Sequence, residues 1–103
     1  MALFNLKYNT EKSVLEVSFG EMAHGDAIVK EVSEIISDTI PTIPSGKILK
    51  ISGPMSLSVS MFIAHKLSHL VPAIAVFDPK LPGDQKFIVC VSHTPDYKVG
   101  DTI

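Results

Sequence analysis

The chain has 103 residues, 46% hydrophobic and 19% charged, with a formal net charge of −2. A chain of that length supports one small core, so a single domain over residues 1–103 is expected, with dimerisation open to it. The acidic balance argues against a general binder of duplex DNA, which would carry a basic excess.

All nine basic residues are lysine. A bound anion would therefore meet backbone amides, lysine or histidine rather than a bidentate guanidinium fork. The one cysteine, Cys90, rules out a disulfide within the chain, and inside "FIVCV" it is expected to be a buried small hydrophobe. The opening "MALFNLKYNTEK" has neither a charged leader nor a long apolar run. Neither a signal peptide nor a membrane span is expected there, and the expected compartment is the cytoplasm.

In chain order, "LFNLKY" and "VLEVSF" alternate, with Phe4, Leu6 and Tyr8 on one face and Leu15, Val17 and Phe19 on another. The polar break "NTEKS" joins them as an antiparallel hairpin. "GDAIVKEVSEIISDTI" then takes helical period, with Ile28, Val32, Ile35 and Ile36 on one stripe, Asp26 as the expected N-cap, and Pro41 and Pro44 as the stop. "KILKIS" (47–52) is expected to be a strand, "GPM" a turn, and Ser56–Leu70 a helix ended by Pro72. "AIAVFD" (73–78) has the near-continuous apolar run of a strand buried on both faces. "KFIVCVS" (86–92) is the last expected strand, followed by "HTPDYKVGD".

The order ββαβαββ predicts a compact α/β domain, a mixed sheet with two helices packed on it. The unit from Lys47 to Asp78 should be a right-handed crossover between parallel strands. "PKLPGDQ" is too short for a second crossover, so 86–92 should run antiparallel to 73–78.

Chain direction sorts the candidate residues into two groups. Gly53, Pro54, the start of the second helix, Asp78 and Lys80 share the edge where the parallel strands end, the usual ligand side of an open α/β sheet. Free amides beside a glycine, with the Ser56 and Ser58 hydroxyls, suit an anion there, although a plain turn would look the same. His65 and His69, four apart, fall on one helix face. The second helix and the last strand both run backwards, bringing His65, His69 and His93 to the opposite edge, roughly 20 Å from Asp78 for a six-residue strand. One subunit cannot unite the two groups; two molecules stacked head to tail could.

Ordinary structural roles compete at each position. His65 could be a dipole partner or packing residue, His93 the cap of a "HTPD" turn, Asp78 the start of a turn before proline, and His24 a loop residue. "HKLSH" lacks the glutamate of HExxH, which disfavours a zinc protease.

"ISGPMSLSVSMFIAHKLSHLVPAIAVFDPKL" followed by "VSHTPDYKVGD", about residues 47–103, resembles the small type III CRISPR-associated ring nucleases. It is most similar in pattern to the stand-alone manganese-dependent branch that degrades cyclic tetra-adenylate. The resemblance rests on the "ISG-P" turn, the "FxAHK" helix with a further histidine, "AVxDPxL", and "SH" before "GD". It implies a cytoplasmic homodimer that cradles cyclic tetra-adenylate over helix N-termini, with a second dimer closing head to tail over the ligand. By position it implies His69 or His65 as the catalytic histidine, Asp78 as a metal-linked carboxylate, Lys80 and His93 in support, and Mn2+ as cofactor with Asp78 and His93 among its ligands. Arginine is common in the family where Lys80 stands.

The expected reaction is cleavage of the ring to linear diadenylate, which ends an antiviral signal. The alternatives are a sensor that binds the same messenger without cutting it, a manganese-dependent 3′ RNA exonuclease, and a purely structural domain.

Overall fold

The computed structural model describes residues 2–103. Its elements are β1 (Phe4–Asn9), β2 (Val14–Phe19), α1 (Gly25–Thr39), a single 3-10 turn at Ile40–Thr42, β3 (Leu49–Ser52), α2 (Leu57–Ser68), β4 (Ala73–Phe77) and β5 (Phe87–Ser92). This is the ββαβαββ order expected from hydrophobic period.

The five strands form one mixed sheet in the order β1-β2-β3-β4-β5. The outer pairs β1–β2 and β4–β5 are antiparallel, and β2–β3 and β3–β4 are parallel. Each parallel step is spanned by a helix, and both steps move in the same direction across the sheet. Right-handed crossovers therefore place α1 and α2 on the same face. The core lies between that face and the helices: Leu15, Leu49 and Ile74 from the strands meet Val32 and Ile36 of α1 and Val59, Ile63 and Leu67 of α2. Burying side chains of this size contributes about 1.5–3 kcal/mol each. The Glu31 carboxylate adds a polar tie, accepting the backbone N–H of Leu3 at 2.6 Å and of Phe4 at 3.0 Å.

Several details differ from the sequence reading. α1 is capped by His24, not Asp26. The backbone of His24 is extended, its side chain makes no capping bond, and the helix begins at Gly25. Asp26 falls instead in the first turn, where a carboxylate is favourable to the helix dipole. α2 begins at Leu57 and ends at Ser68, with Ser56 and His69 as its caps.

Cys90 is exposed rather than buried. Ile74 pairs with Val91 and Ala75 with Val89, so the register shifts and Cys90 has no partner across β4. An extra residue of this kind turns out of the strand's regular alternation. The last residues flank the free edge of β5: the Phe87 and Val89 amides donate to the Ile103 and Asp101 carbonyls at 3.1 and 2.8 Å. That pairing blunts an edge that would otherwise recruit another strand. Among the described residues, no helix is long and apolar enough to cross a membrane.

Candidate functional site

Because β2, β3 and β4 are parallel, their carboxyl ends open on one rim. It carries the β2–α1 loop, the Gly53–Ser56 turn with the start of α2, and the Asp78–Gln85 connection. The opposite rim carries the end of α2, Pro72 and His93.

On the first rim the "SGP" turn is fixed by close approach. Gly53 has φ +128°, and a side chain there would drive its Cβ into the Val17 carbonyl oxygen of β2. Only glycine meets both demands, left-handed backbone and no Cβ. The chain then enters α2 through Ser56, whose Oγ accepts the Val59 N–H at 3.3 Å and lies 3.3 Å from Ser58 Oγ. The first-turn amides of Leu57 and Ser58 have no acceptor within the helix and carry the positive end of its dipole. Across the rim, Asp78 Oδ1 accepts the Lys80 N–H at 2.9 Å, and the Asp78 amide donates to the Lys86 carbonyl at 2.7 Å. The half-buried Asp78 carboxylate thus shapes the turn before Pro79 and leaves the exposed Lys80 ammonium free to swing. Together Gly53, Ser56, Ser58 and Lys80 offer amides, hydroxyls and one cation to an anion, while Pro54, which has no N–H, can only shape the turn.

On the second rim, the rings of His65 and His69 stand edge to face with centroids 5.6 Å apart. Both are exposed, one turn apart at the end of α2. The His93 amide donates to the Pro72 carbonyl at 2.8 Å, which holds the His93 backbone beside Pro72, itself three residues after His69. Its turn is held by the Ser92 hydroxyl, which donates to the carbonyls of Thr94 and Tyr97 at 3.0 and 2.7 Å.

The three histidines therefore gather on one rim, and Asp78 with Lys80 on the other. Six residue steps along β4 separate Pro72 from Asp78, about 20 Å at the standard rise. His24, read from the sequence as a loop residue, does lie in the loop before α1, on the carboxyl rim beside a cavity of about 630 Å³ lined by Phe19, Met22 and Ile28. No sequence signal separated it from an ordinary loop residue, because the cap uses its backbone and not its ring.

A comparison with protein families matches residues 23–103 to the family described as CRISPR-associated protein (Cas_csx3). Comparisons with curated proteins and with solved structures gave no match. The expected manganese site and the manganese-dependent branch are corrected here. Asp78 and His93, the expected ligands, lie on opposite rims. Among the described residues, no group of three or more His, Cys, Asp or Glu side chains could hold a metal ion. The match is to Cas_csx3 and brings no manganese requirement with it, so the expected cofactor is withdrawn in favour of metal-independent ring-nuclease chemistry. With well over half of its length matched, the chain belongs to the Cas_csx3 family of CRISPR-associated proteins, type III ring nucleases, and is an enzyme that hydrolyses cyclic oligoadenylate.

Proposed function

We propose that this enzyme cuts cyclic tetra-adenylate to linear diadenylate by acid–base chemistry at a site shared between head-to-tail copies. The reading rests on one observation: a histidine pair with rings 5.6 Å apart sits one sheet length from the anion-binding turn. A ligand phosphate held over Gly53, Ser56 and Ser58 of one copy meets His65 and His69 of another. A dimer stacked on a second dimer supplies both rims, with His93 supporting the histidine side.

The chemistry follows from the groups present. Helix N-terminal amides and the Lys80 ammonium lower the energy of the charge that builds on the phosphate oxygens. One imidazole takes the proton of the ribose 2′-hydroxyl as that oxygen bonds to phosphorus. The phosphorus–O5′ bond breaks, and the second imidazole gives its proton to the leaving oxygen. Histidine suits both tasks near neutral pH, and each is worth about 10²–10⁴-fold in rate. Two such cuts in a ring of four nucleotides release two diadenylates ending in 2′,3′-cyclic phosphate, and addition of water to that phosphate completes the hydrolysis. Asp78 acts by holding the Lys80 turn. With lysine where the family often has arginine, phosphate contact is a point charge and weakens with salt.

The test is incubation with cyclic tetra-adenylate in a chelating buffer, with products resolved by mass. The expected result is diadenylate from the wild type and at least about a 10²-fold loss in His69→Ala. Intact ligand recovered from a tightly bound wild-type complex would replace this reading with a sensor. Equal degradation of linear poly-adenylate would replace it with an exonuclease.

A further inference from the structure

The β2–α1 loop surrounds an open cavity of about 630 Å³ on the carboxyl rim, lined among others by Phe19, Glu21, Met22, His24 and Ile28. That volume is in the range of small-molecule sites. Met22 is fully exposed and Phe19 is 44% exposed, so a thioether and an aromatic ring stand in water at its mouth. The Phe19 ring is nonetheless held in place, edge to face with the buried Phe4 at a centroid distance of 5.3 Å. The loop behind it is tied down as well: the Gly20 and Glu21 amides donate to the Leu3 and Ala2 carbonyls at 2.9 and 3.0 Å. A wall fixed in this way loses little freedom when a ligand arrives. Two exposed polar side chains complete the lining. The Glu21 carboxylate accepts hydrogen bonds, and the His24 ring, which makes no capping bond, has an N–H to donate.

We propose that this cavity takes one adenine base of the cyclic oligoadenylate and is where the enzyme tells adenine from a 6-oxopurine. The base lies against Phe19 with Met22 folded over it, since an aromatic face and a thioether both pack well on a purine. Glu21 accepts the N–H of the exocyclic amine, and His24 donates to the ring nitrogen N7 beside it. Adenine offers that edge as one donor and one acceptor, whereas guanine offers two acceptors. A carboxylate facing the guanine oxygen has no proton to share, and that repulsion rejects the wrong base. The position fits too. Gly53, at the anion-binding turn, packs against the Val17 carbonyl of β2, and Phe19 lies two residues further along the strand, about 7 Å. One nucleotide spans such a distance from its phosphate to its base. The exocyclic amine is the end of the base furthest from the sugar, which keeps Glu21 away from the phosphates. The location of the phosphate rests on the function proposed above. The base pocket rests on the loop itself and on cyclic oligoadenylate as the substrate.

The experiment compares binding of cyclic tetra-adenylate with that of cyclic tetra-inosinate, in which a carbonyl oxygen replaces each amine. Binding is read by filter retention within seconds of mixing, in a His69→Ala background, ahead of any residual cleavage. The adenylate ring should bind at least about tenfold more tightly than the inosinate ring. Phe19→Ala should lose at least about tenfold in affinity for the adenylate ring. Met22→Ala, at a fully exposed position that the core does not use, should lose at least about threefold and keep its melting temperature. Glu21→Gln, whose amide both accepts and donates, should bring the two rings within about threefold of each other. Equal affinity for the two rings before Glu21 is changed, or undiminished binding in both Phe19→Ala and Met22→Ala, would overturn the inference. So would a smaller sedimenting species in either variant without ligand, because the cavity would then hold another copy of the chain. Weaker binding in these variants beside undiminished binding in Ser56→Asp would keep the base pocket and move the phosphate. Base-dependent binding by a wild type that leaves the ring intact would sink the proposed reaction alone.

Discussion

Gly53 carries more structural constraint than any other residue at the site. Its left-handed φ of +128° and the blocked Cβ position against Val17 act together. Gly53→Ala should therefore incur both backbone strain and overpacking, about 1–3 kcal/mol from each. A fall of at least about 10 °C in melting temperature is expected for a chain this size. A thermal melt within about 2 °C of the wild type would show that the turn relaxes freely and that glycine is not needed there. At this scale the sequence was informative about spacing and uninformative about exposure. His65 and His69 had to share a face because they are four apart on a helix, and their rings do meet. Cys90 reads as core in "FIVCV" because its neighbours are apolar; its exposure is decided by a register shift against Ile74 and Ala75, residues on another strand.

Among the elements, α2 links the two rims, and its first turn serves both stability and ligand binding. Two substitutions at Ser56 separate these roles. Ser56→Ala loses the bond to the Val59 amide and should lower stability by about 1 kcal/mol. Ser56→Asp keeps a good N-cap and suits the helix dipole, so stability should hold. Its negative charge, however, would face the incoming phosphate, and affinity for cyclic tetra-adenylate should drop at least about tenfold, or 1.4 kcal/mol. Calorimetric binding beside a thermal melt reads both effects, and undiminished affinity in Ser56→Asp would remove the anion from this helix end. Strand direction was legible at this level because loop lengths allow so few connections: "PKLPGDQ" could only reverse the chain. The α1 cap was not legible. Asp26 is the better capping side chain, but the helix gains two residues by starting at Gly25 rather than after Asp26, leaving His24 in the extended position before it.

For the whole molecule, the separation of rims turns chain topology into a statement about assembly. β4 holds Asp78 about 20 Å from the His69 end, and no side chain spans that distance. If turnover needs both rims, two inactive proteins with opposite defects should repair each other. His69→Ala retains a sound carboxyl rim, and Asp78→Ala a sound histidine rim. In an equal mixture assembling at random, a working junction needs an Asp78→Ala copy on the histidine side and a His69→Ala copy on the carboxyl side. Each choice has even odds, so about one quarter of the junctions should be competent, and the mixture should regain about a quarter of wild-type turnover where each protein alone shows almost none. Rescue should vanish on dilution below the concentration at which the assembly forms, because the two rims then lie on separate molecules. A mixture as inactive as its components, with both variants folded and associating normally, would place the reacting groups within one copy and refute head-to-tail sharing.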